Sequence, residues 1–209
     1  MEKVNMKAQI LNEALELFSK RGFEATSIAQ IAEAVGLKKA SLYSHFASKQ
    51  DILDTLLDVM EKKYSENSIL SKVNWDNPEF IKDMEKMSAK DLGNMVKRHI
   101  IFIIHEPGIS KMRKFFTIEQ FRNEKIAKVQ TQHSYEDILK FSNGLIRFLI
   151  KKGDLVDDNP DIIAAQFAWP VSIWINLCDR EPEREAEVLE LVDRHIHQML
   201  RIYKNNDNS

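Results

Sequence analysis

Apolar residues recur every three or four positions through most of the chain, the spacing that places them on one face of an α-helix. The first such stripe lies in residues 6–20 and consists of Ile10, Leu11, Ala14, Leu15, Leu17 and Phe18. Gly22 follows it, with Lys20 and Arg21 in the last turn, where cations are favoured. The pattern therefore predicts an amphipathic first helix that ends at Gly22.

Two side-chain patterns mark the starts of later helices. Ser27 and Gln30 have the spacing of a capping box, in which two side chains satisfy each other's backbone N–H groups, so a second helix is predicted over 28–35. Ser48 and Asp51 form a further cap, which predicts a longer fourth helix.

A very short third helix is predicted over about 38–45, after a glycine stop. Leu42 and Phe46 are four residues apart and point into the core. Three short helices, with a glycine turn between the second and third and a long fourth helix behind them, predict a helix-turn-helix unit. We assign residues 1–50 to this unit, with the fourth helix leading out of it from residue 49.

The remainder, 51–205, is predicted to be a second helical domain. Helical periodicity lapses in the polar stretch 65–80 and then returns. Six Gly, five Pro and few β-branched clusters argue against a sheet protein. The fold class is therefore all-α, with about nine helices in total, the later ones covering about 88–105, 109–115, 117–130, 134–151, 160–178 and 183–203.

The formal net charge of −2 hides a local difference. Residues 1–49 hold seven Lys and Arg against five Glu, a balance of +2, and the remainder carries −4. A balance of +2 is weak evidence for a nucleic-acid partner by itself. The positions of the cations have to decide the question.

The outward face of the third helix is polar and free of acidic residues. Affinity for DNA comes mostly from neutralised phosphates, and specificity from side chains that a helix presents to the major groove. The alternative is the solvated face of an ordinary helical bundle. The candidate contact residues are Lys38, Lys39, Ala40, Ser41, Tyr43, Ser44 and His45.

Residues 26–53, TSIAQIAEAVGLKKASLYSHFASKQDIL, resemble the DNA-binding domain of the TetR family of transcriptional regulators. The resemblance covers about residues 8–55. Two positions depart from the family's habit: Lys38 replaces a usual Ser or Thr cap, and Ala40 replaces a usual Gly. The positions that match are Thr26, Ile31, Ala32, Gly36, Leu42, Tyr43, His45, Phe46 and Lys49.

The resemblance implies roles for the matching residues. Thr26 and Ser27 would place the N-terminus of the second helix against a phosphate, as helix ends bind anions. Lys39 and Ala40 would reach the groove. Further phosphate contacts are implied for Tyr43, His45 and Lys49.

The resemblance also implies that 51–205 is a ligand-binding and dimerisation domain. Its last two helices would pair with their copies in a second subunit, although packing within the protomer explains the same stripes. The dimer residues are Ile163, Phe167, Val171, Trp174, Leu189, Val192, Ile196, Met199 and Tyr203. A pocket would lie among the central helices, where core packing is the alternative role, and its residues are His99, Phe102, Phe116, Glu119, Arg122, Phe141, Asn143 and Trp169.

Several other classes lack support in the sequence. His195 and His197 are two residues apart and face different ways on a helix, so no metal site is expected. No nucleotide-binding loop or hydrolase motif is present, and we expect neither a catalytic site nor a cofactor. The apolar run 100–104 is far shorter than the ~20 residues that span a bilayer. A single cysteine, Cys178, fits a reducing compartment, and we expect a cytoplasmic protein with no membrane partner.

The sequence thus predicts a ligand-responsive repressor that binds double-stranded operator DNA of palindromic sequence as a homodimer. By the resemblance, a small-molecule effector would change the separation of the two recognition helices. One alternative is a DNA-tethered helical module that is controlled by a protein partner instead. A helical enzyme is a second alternative, which the missing catalytic motifs disfavour.

Overall fold

The protein is described over residues 5–205 by a computed structural model, and its all-α class is confirmed. A π-helical turn, Gln132–Glu136, precedes the tenth helix, and a 3₁₀ turn, Pro182–Arg184, precedes the last. The α-helices of the described residues are α1 Met6–Arg21, α2 Ile28–Ala34, α3 Lys39–Leu42, α4 Lys49–Asn67, α5 Ile69–Lys72, α6 Pro78–Glu85, α7 Ala89–His105, α8 Pro107–Glu119, α9 Glu124–Thr131, α10 Asp137–Lys152, α11 Pro160–Arg180 and α12 Glu185–Ile202.

The polar stretch 65–80 contains more helix than its periodicity predicts. Ser68 caps α5 by accepting the Leu70 N–H at 3.1 Å. Asn77 caps α6 by accepting the Glu79 N–H at 2.9 Å. In these two helices Met84 is the one fully buried side chain. Both helices also pack half-buried apolar residues on the core, among them Leu70 and Ile81, but α5 has only four residues and is too short to show helical periodicity.

Contacts divide the chain into two units, which differ from the two predicted domains. The first unit comprises Met1–Asn67 together with Glu106–Gln130, and the second comprises Ser68–His105 and Thr131–Ser209. In packing, α4 and α8 therefore belong with the N-terminal helices. The predicted boundary between residues 50 and 51 is a division by function and stays a prediction.

The core of the first unit forms around Phe18 of α1. Its side chain is fully buried, and its ring stacks on Phe115 of α8 with 5.4 Å between centroids. Phe23, just after α1, packs on the other side of Phe18, also at 5.4 Å. Leu42 of α3 and Ile52 of α4 are buried in the same cluster. The stripe predicted for α1 is therefore the centre of this core.

The second unit has its core among α7, α10, α11 and α12. Most of the residues predicted for a dimer interface lie in or against this core, and their part in an interface stays a prediction. Trp174, Met199 and Tyr203 are partly buried against the same core, and Leu189 is partly buried. A stripe that faces its own protomer has the same helical spacing as one that faces a partner, so the pattern could not separate them. The five residues that are buried in the protomer core are Ile163, Phe167, Val171, Val192 and Ile196.

A small apolar cavity lies in this core, bordered by residues such as Leu92, Ile146, Phe167 and Leu200. The space available to the centre of a water-sized sphere is about 30 Å³. One water needs about 10–15 Å³ by this measure, whereas ligand pockets measure about 300–1,000 Å³. The cavity thus admits water-sized molecules, and its lining includes none of the eight residues predicted to bind a ligand.

Helix α11 is the one described helix that is long and apolar enough, by length and composition, to cross a bilayer. A core helix passes the same test, and α11 has seven buried residues. Buried Cys178 lies near its end. At least part of the apolar surface of α11 is therefore buried in the protein's own core.

Burial lowers the pKa of the His99 imidazole from 6.5 to about 4, so the ring is neutral in the native protein at pH 7. Between these values the unfolded chain binds a proton that the native protein does not, so stability falls as pH falls from 6.5 to 4. The slope is up to about 1.4 kcal/mol per pH unit. We predict that His99→Leu flattens this dependence in urea titrations. Parallel pH profiles for the variant and the original protein would contradict this assignment.

Candidate nucleic-acid interface

A capping box starts α2, and backbone hydrogen bonds form the turn between α2 and α3. The predicted box is confirmed, since the Ser27 N–H donates to Gln30 Oε1 at 2.8 Å and the Gln30 N–H donates to Ser27 Oγ at 3.3 Å. Gly36 has φ +70° and donates its N–H to the Glu33 carbonyl at 3.0 Å. A left-handed backbone conformation of this kind favours glycine. These bonds fix where α3 begins.

Helix α3 is shorter than predicted and ends at Leu42. The His45 N–H donates to the Leu42 carbonyl at 2.9 Å, a three-residue step that tightens the chain into a turn. Lys38 occupies the N-cap position and makes no side-chain cap bond, as predicted from its replacement of Ser or Thr. Leu42 and Phe46 are buried beneath the turn.

The outward side of α3 exposes most of the predicted contact residues. Lys38 and Lys39 are exposed and make no ion pair with any acidic residue among those described. Tyr43 is 47% exposed, an unusual exposure for an aromatic side chain, and His45 is half-buried. The other exposed members of this surface are Ala40, Ser41 and Ser44. We define the α3 surface as the seven residues Lys38, Lys39, Ala40, Ser41, Tyr43, Ser44 and His45.

Lys49 differs from the other predicted phosphate ligands because its ammonium is used within the unit. Its Nζ donates to the Phe23 carbonyl at 2.8 Å and lies 4.1 Å from the centroid of the Phe23 ring. This position fits a residue that holds the turn after α1. A phosphate contact by Lys49 stays a prediction and would use its remaining N–H groups.

Thr26 and Ser27 have separate roles at the start of α2. Thr26 is 1% exposed, and its hydroxyl donates to the Gly22 carbonyl at 2.9 Å. This buried hydrogen bond fits the implied role of placing the start of α2, and DNA binding by Thr26 stays a prediction. Ser27 is exposed at the helix N-terminus, where backbone N–H groups favour anions.

One positioning residue for this interface comes from α8, 96 residues away in sequence. The buried Glu119 carboxylate accepts the Phe23 N–H at 2.8 Å through Oε1. Gly22 has φ +81°, and a Cβ built there would lie 2.6 Å from the same oxygen. Gly22 is required both by its backbone conformation and by this close approach. We call this contact the Glu119 link.

An ion pair lies beside the Glu119 link and also joins α8 to α1. Lys111 Nζ lies 2.5 Å from Glu16 Oε2, and Lys20 Nζ lies 2.6 Å from Oε1. Hydrogen bonds from Lys111 and then Lys20 lower the pKa of Glu16 to about 2. Glu16 is therefore ionised throughout the pH range in which DNA binding is measured.

The eight residues predicted to bind a ligand fall into both units. Glu119 was predicted as a ligand contact, and the structure gives it the role just described. Phe116 packs on Phe115 in the core of the first unit, and Arg122 is exposed. Polar and aromatic residues at helical spacing serve a core or a pocket equally well, and a ligand contact by these residues stays a prediction. The members in the second unit are His99, Phe102, Phe141, Asn143 and Trp169.

The geometry of α2 and α3 is that of a known class of DNA-binding protein. A capped helix, a glycine turn and a short helix with an exposed, acid-free surface form a helix-turn-helix unit of a DNA-binding protein. Among residues 5–205, no group of three or more His, Cys, Asp or Glu side chains is arranged to hold a metal ion.

Comparison with known proteins agrees with this class. The family model described as bacterial regulatory proteins, tetR family, matches residues 10–56. IcaR of Staphylococcus aureus, a negative transcriptional regulator of the biofilm operon icaADBC, is 47% identical over 49 residues, 23% of this chain and 26% of IcaR. The nucleoid occlusion factor SlmA of Aliivibrio fischeri is 27% identical over 170 residues, 81% of each chain.

Solved structures share the whole fold. A TetR-family regulator from Mesorhizobium loti gives a TM-score of 0.65 at 17% identity, over 98% of this chain and 99% of that one. SmeT, the repressor of the Stenotrophomonas maltophilia efflux pump SmeDEF, gives 0.64 at 17% identity, over 99% and 94%. Residues 10–56 thus match the DNA-binding region of the TetR family of transcriptional regulators, and the whole chain has the fold of TetR-family structures. These relatives do not favour the alternative of a regulator controlled by a protein partner.

We predict that Lys38→Ala and Lys39→Ala each weaken binding to mixed-sequence duplex DNA. Each change removes one cation, so the slope of log K against log salt should decrease by about 1. Fluorescence anisotropy titrations at several salt concentrations measure this slope. Lys62→Ala on α4, an exposed lysine outside the α3 surface, serves as the matched control and should leave the slope unchanged. Equal slopes in all four proteins would remove the α3 surface from the interface.

We predict that Glu119→Ala lowers the free energy of unfolding by about 1–3 kcal/mol, because it leaves the Phe23 N–H without its acceptor. Glu119→Gln retains a side-chain oxygen and should lose less. Urea denaturation gives the stability, and hydrogen exchange at Phe23 reports the bond directly. Glu124→Ala on exposed α9 is the control. Unchanged exchange at Phe23 in Glu119→Ala would refute the link.

Proposed function

We propose that this TetR-family regulator is a repressor that binds a palindromic operator as a homodimer and responds to a small-molecule effector. The observation that carries the DNA-binding part is the α3 surface, with its two unpaired lysines and no acidic neighbour from residue 36 to residue 46. IcaR and SmeT, which are named as a negative regulator and a repressor, support the repressor assignment. Such a protein acts in the cytoplasm, without catalysis and without a membrane partner.

The exposed face of α11 supports a homodimer better than the stripe predicted from sequence. Ile162 is 54% exposed and Ile173 is 65% exposed, eleven residues apart on the same helical face. Between them Trp169 stacks on Tyr135, with 5.2 Å between centroids, and Tyr135 is 53% exposed. A helix that is apolar on both its inner and its outer face is normally buried on both. A second copy of the chain, related by a two-fold axis, covers this face.

A dimer also fits the way in which helix-turn-helix proteins read DNA. Two recognition helices bind successive major grooves only when they lie about 34–36 Å apart, and a two-fold dimer supplies this pair. An effector that binds one dimer conformation better than another then changes operator affinity. The effector part of the proposal needs a site larger than the cavity of about 30 Å³ in the second unit.

Selection of random duplex DNA on the purified protein tests the proposed function. The expected product is an inverted repeat whose half-sites are centred about one helical turn apart. Enrichment of a single unrepeated motif would contradict dimeric binding. No enrichment above the starting pool would contradict sequence-specific recognition as a whole.

We predict that Ile173→Lys converts dimers into monomers at micromolar concentration, because a charge on the exposed α11 face remains unpaired when a partner covers it. Sedimentation velocity measures the change. Val59→Lys introduces the same charge at a 43% exposed residue of α4 and should leave the dimer intact. Dimers that survive Ile173→Lys would place the interface elsewhere.

A further inference from the structure

Trp75 lies at the tip of a tight turn between α5 and α6. The Asn74 side chain accepts the Asp76 N–H at 3.0 Å, and the Asn74 carbonyl accepts the Asn77 N–H at 3.1 Å. These bonds project the indole of Trp75 away from the turn. The ring packs against the core of the second unit, although the turn itself consists of exposed polar residues.

The indole lies directly over Gly144, in the middle of α10. A Cβ built on Gly144 would lie 2.1 Å from Trp75 Nε1 and 2.3 Å from Cδ1. Glycine destabilises a helix interior relative to alanine, so this contact supplies a physical reason for its presence. Three phenylalanines surround the ring, with centroid distances of 5.7 Å for Phe80 and 6.2 Å for both Phe141 and Phe148. We call the space that the indole occupies, lined by Gly144, Phe80, Phe141 and Phe148, the indole site.

The indole fills this space but leaves polar atoms unsatisfied. Among the described residues, Trp75 Nε1 has no hydrogen-bond partner although the atom is buried. The same holds for Oδ1 of Asn143, the residue before Gly144. A buried donor and a buried acceptor without partners each reduce stability. The indole of Trp75 therefore fits the shape of the site, but it does not satisfy the hydrogen-bonding groups there.

The chemistry of the site indicates what binds in it. Its walls are aromatic and uncharged, and Gly144, which has no Cβ, lets a flat ring lie against the backbone of α10. The orphan Asn143 Oδ1 requires a donor, which a free ring is able to turn toward it.

We propose that the indole site binds a flat, uncharged aromatic ligand with one N–H or O–H donor, and that this ligand displaces Trp75. The segment that carries Trp75 is held mainly by half-buried residues such as Leu70 and Ile81, and α5 and α6 together contribute one fully buried side chain, so the segment opens at a lower cost than the core helices. Displacement creates the space that the small cavity lacks. The inference rests on the proposed function only in naming this ligand as the effector.

Chemical rescue tests the site itself, with indole as the probe. Trp75→Ala should melt at a lower temperature than the original protein, and added indole should raise its melting temperature with increasing concentration. Trp75→Ala combined with Gly144→Ala puts a methyl group where the ring lies and should bind indole at least ~10-fold more weakly. A Trp75→Ala protein that does not respond to indole overturns the site, as does equal binding by the double variant.

A second measurement uses the unaltered sequence, so it does not depend on the folding of a variant. The protein labelled with 5-fluorotryptophan has three ¹⁹F resonances, from Trp75, Trp169 and Trp174. Indole at about millimolar concentration should move the Trp75 resonance toward its solvent-exposed position and leave the other two in place. Binding of indole without this movement, or no binding at all, overturns displacement.

The requirement for a donor has its own control. 1-Methylindole has the same ring without the N–H and should bind about 10-fold more weakly than indole. Equal binding of the two compounds overturns the role of Asn143. All of these readouts use protein without DNA. Failure of operator selection therefore leaves them intact, and their failure leaves the DNA-binding proposal intact.

Discussion

The hydrogen bond from the Phe23 N–H to the buried Glu119 carboxylate is the contact on which the position of the DNA-binding helices depends. Phe23 lies in the turn between α1 and α2, so a group that fixes this turn also fixes where α2 starts. Gly22 permits the approach, and Lys49 holds the carbonyl of Phe23 from the other side. A carboxylate in a buried position is costly without donors, and here the backbone supplies one. Together with the stacking of Phe115 on Phe18, this bond makes α8 part of the DNA-binding unit in packing, although the two are far apart in sequence.

The electrostatic arrangement of the α3 surface makes sense only with an anionic partner. Lys38 and Lys39 open a helix of four residues, where the positive end of the backbone dipoles opposes them by about 0.3–1 kcal/mol each. Lys38 also occupies a cap position without capping. Neither residue gains an ion pair within the described part of the chain. In the proposed operator complex, duplex phosphates would offset this penalty for any sequence, and Ala40, Ser41 and their neighbours would discriminate between bases.

Local signals in the sequence predicted the local structure well, and patterns that depend on long-range packing did not. The Ser27–Gln30 box and the uncapped Lys38 could be read directly, because caps involve residues two or three positions apart. Glu119 could not be assigned, because nothing in its neighbours indicates a partner 96 residues earlier. A stripe at helical spacing does not reveal which surface covers it, so the pattern that includes Phe167 and Ile196 fits a dimer interface and a protomer core equally well. Gly144, in the middle of an amphipathic helix, was the available signal of a close approach, and its partner Trp75 lay in a stretch without periodicity.

Cleavage of the duplex by a reagent attached to α3 shows whether this helix lies in the major groove. The chain's one cysteine, Cys178, is buried, so a cysteine introduced by Ala40→Cys is the reactive thiol to which an iron chelate is attached. On the selected operator, the account predicts two clusters of strand cleavage, one in each half-site and about 34–36 Å apart along the duplex. Cleavage at a single position, or cleavage spread evenly along DNA that the labelled protein nevertheless protects, would contradict the account.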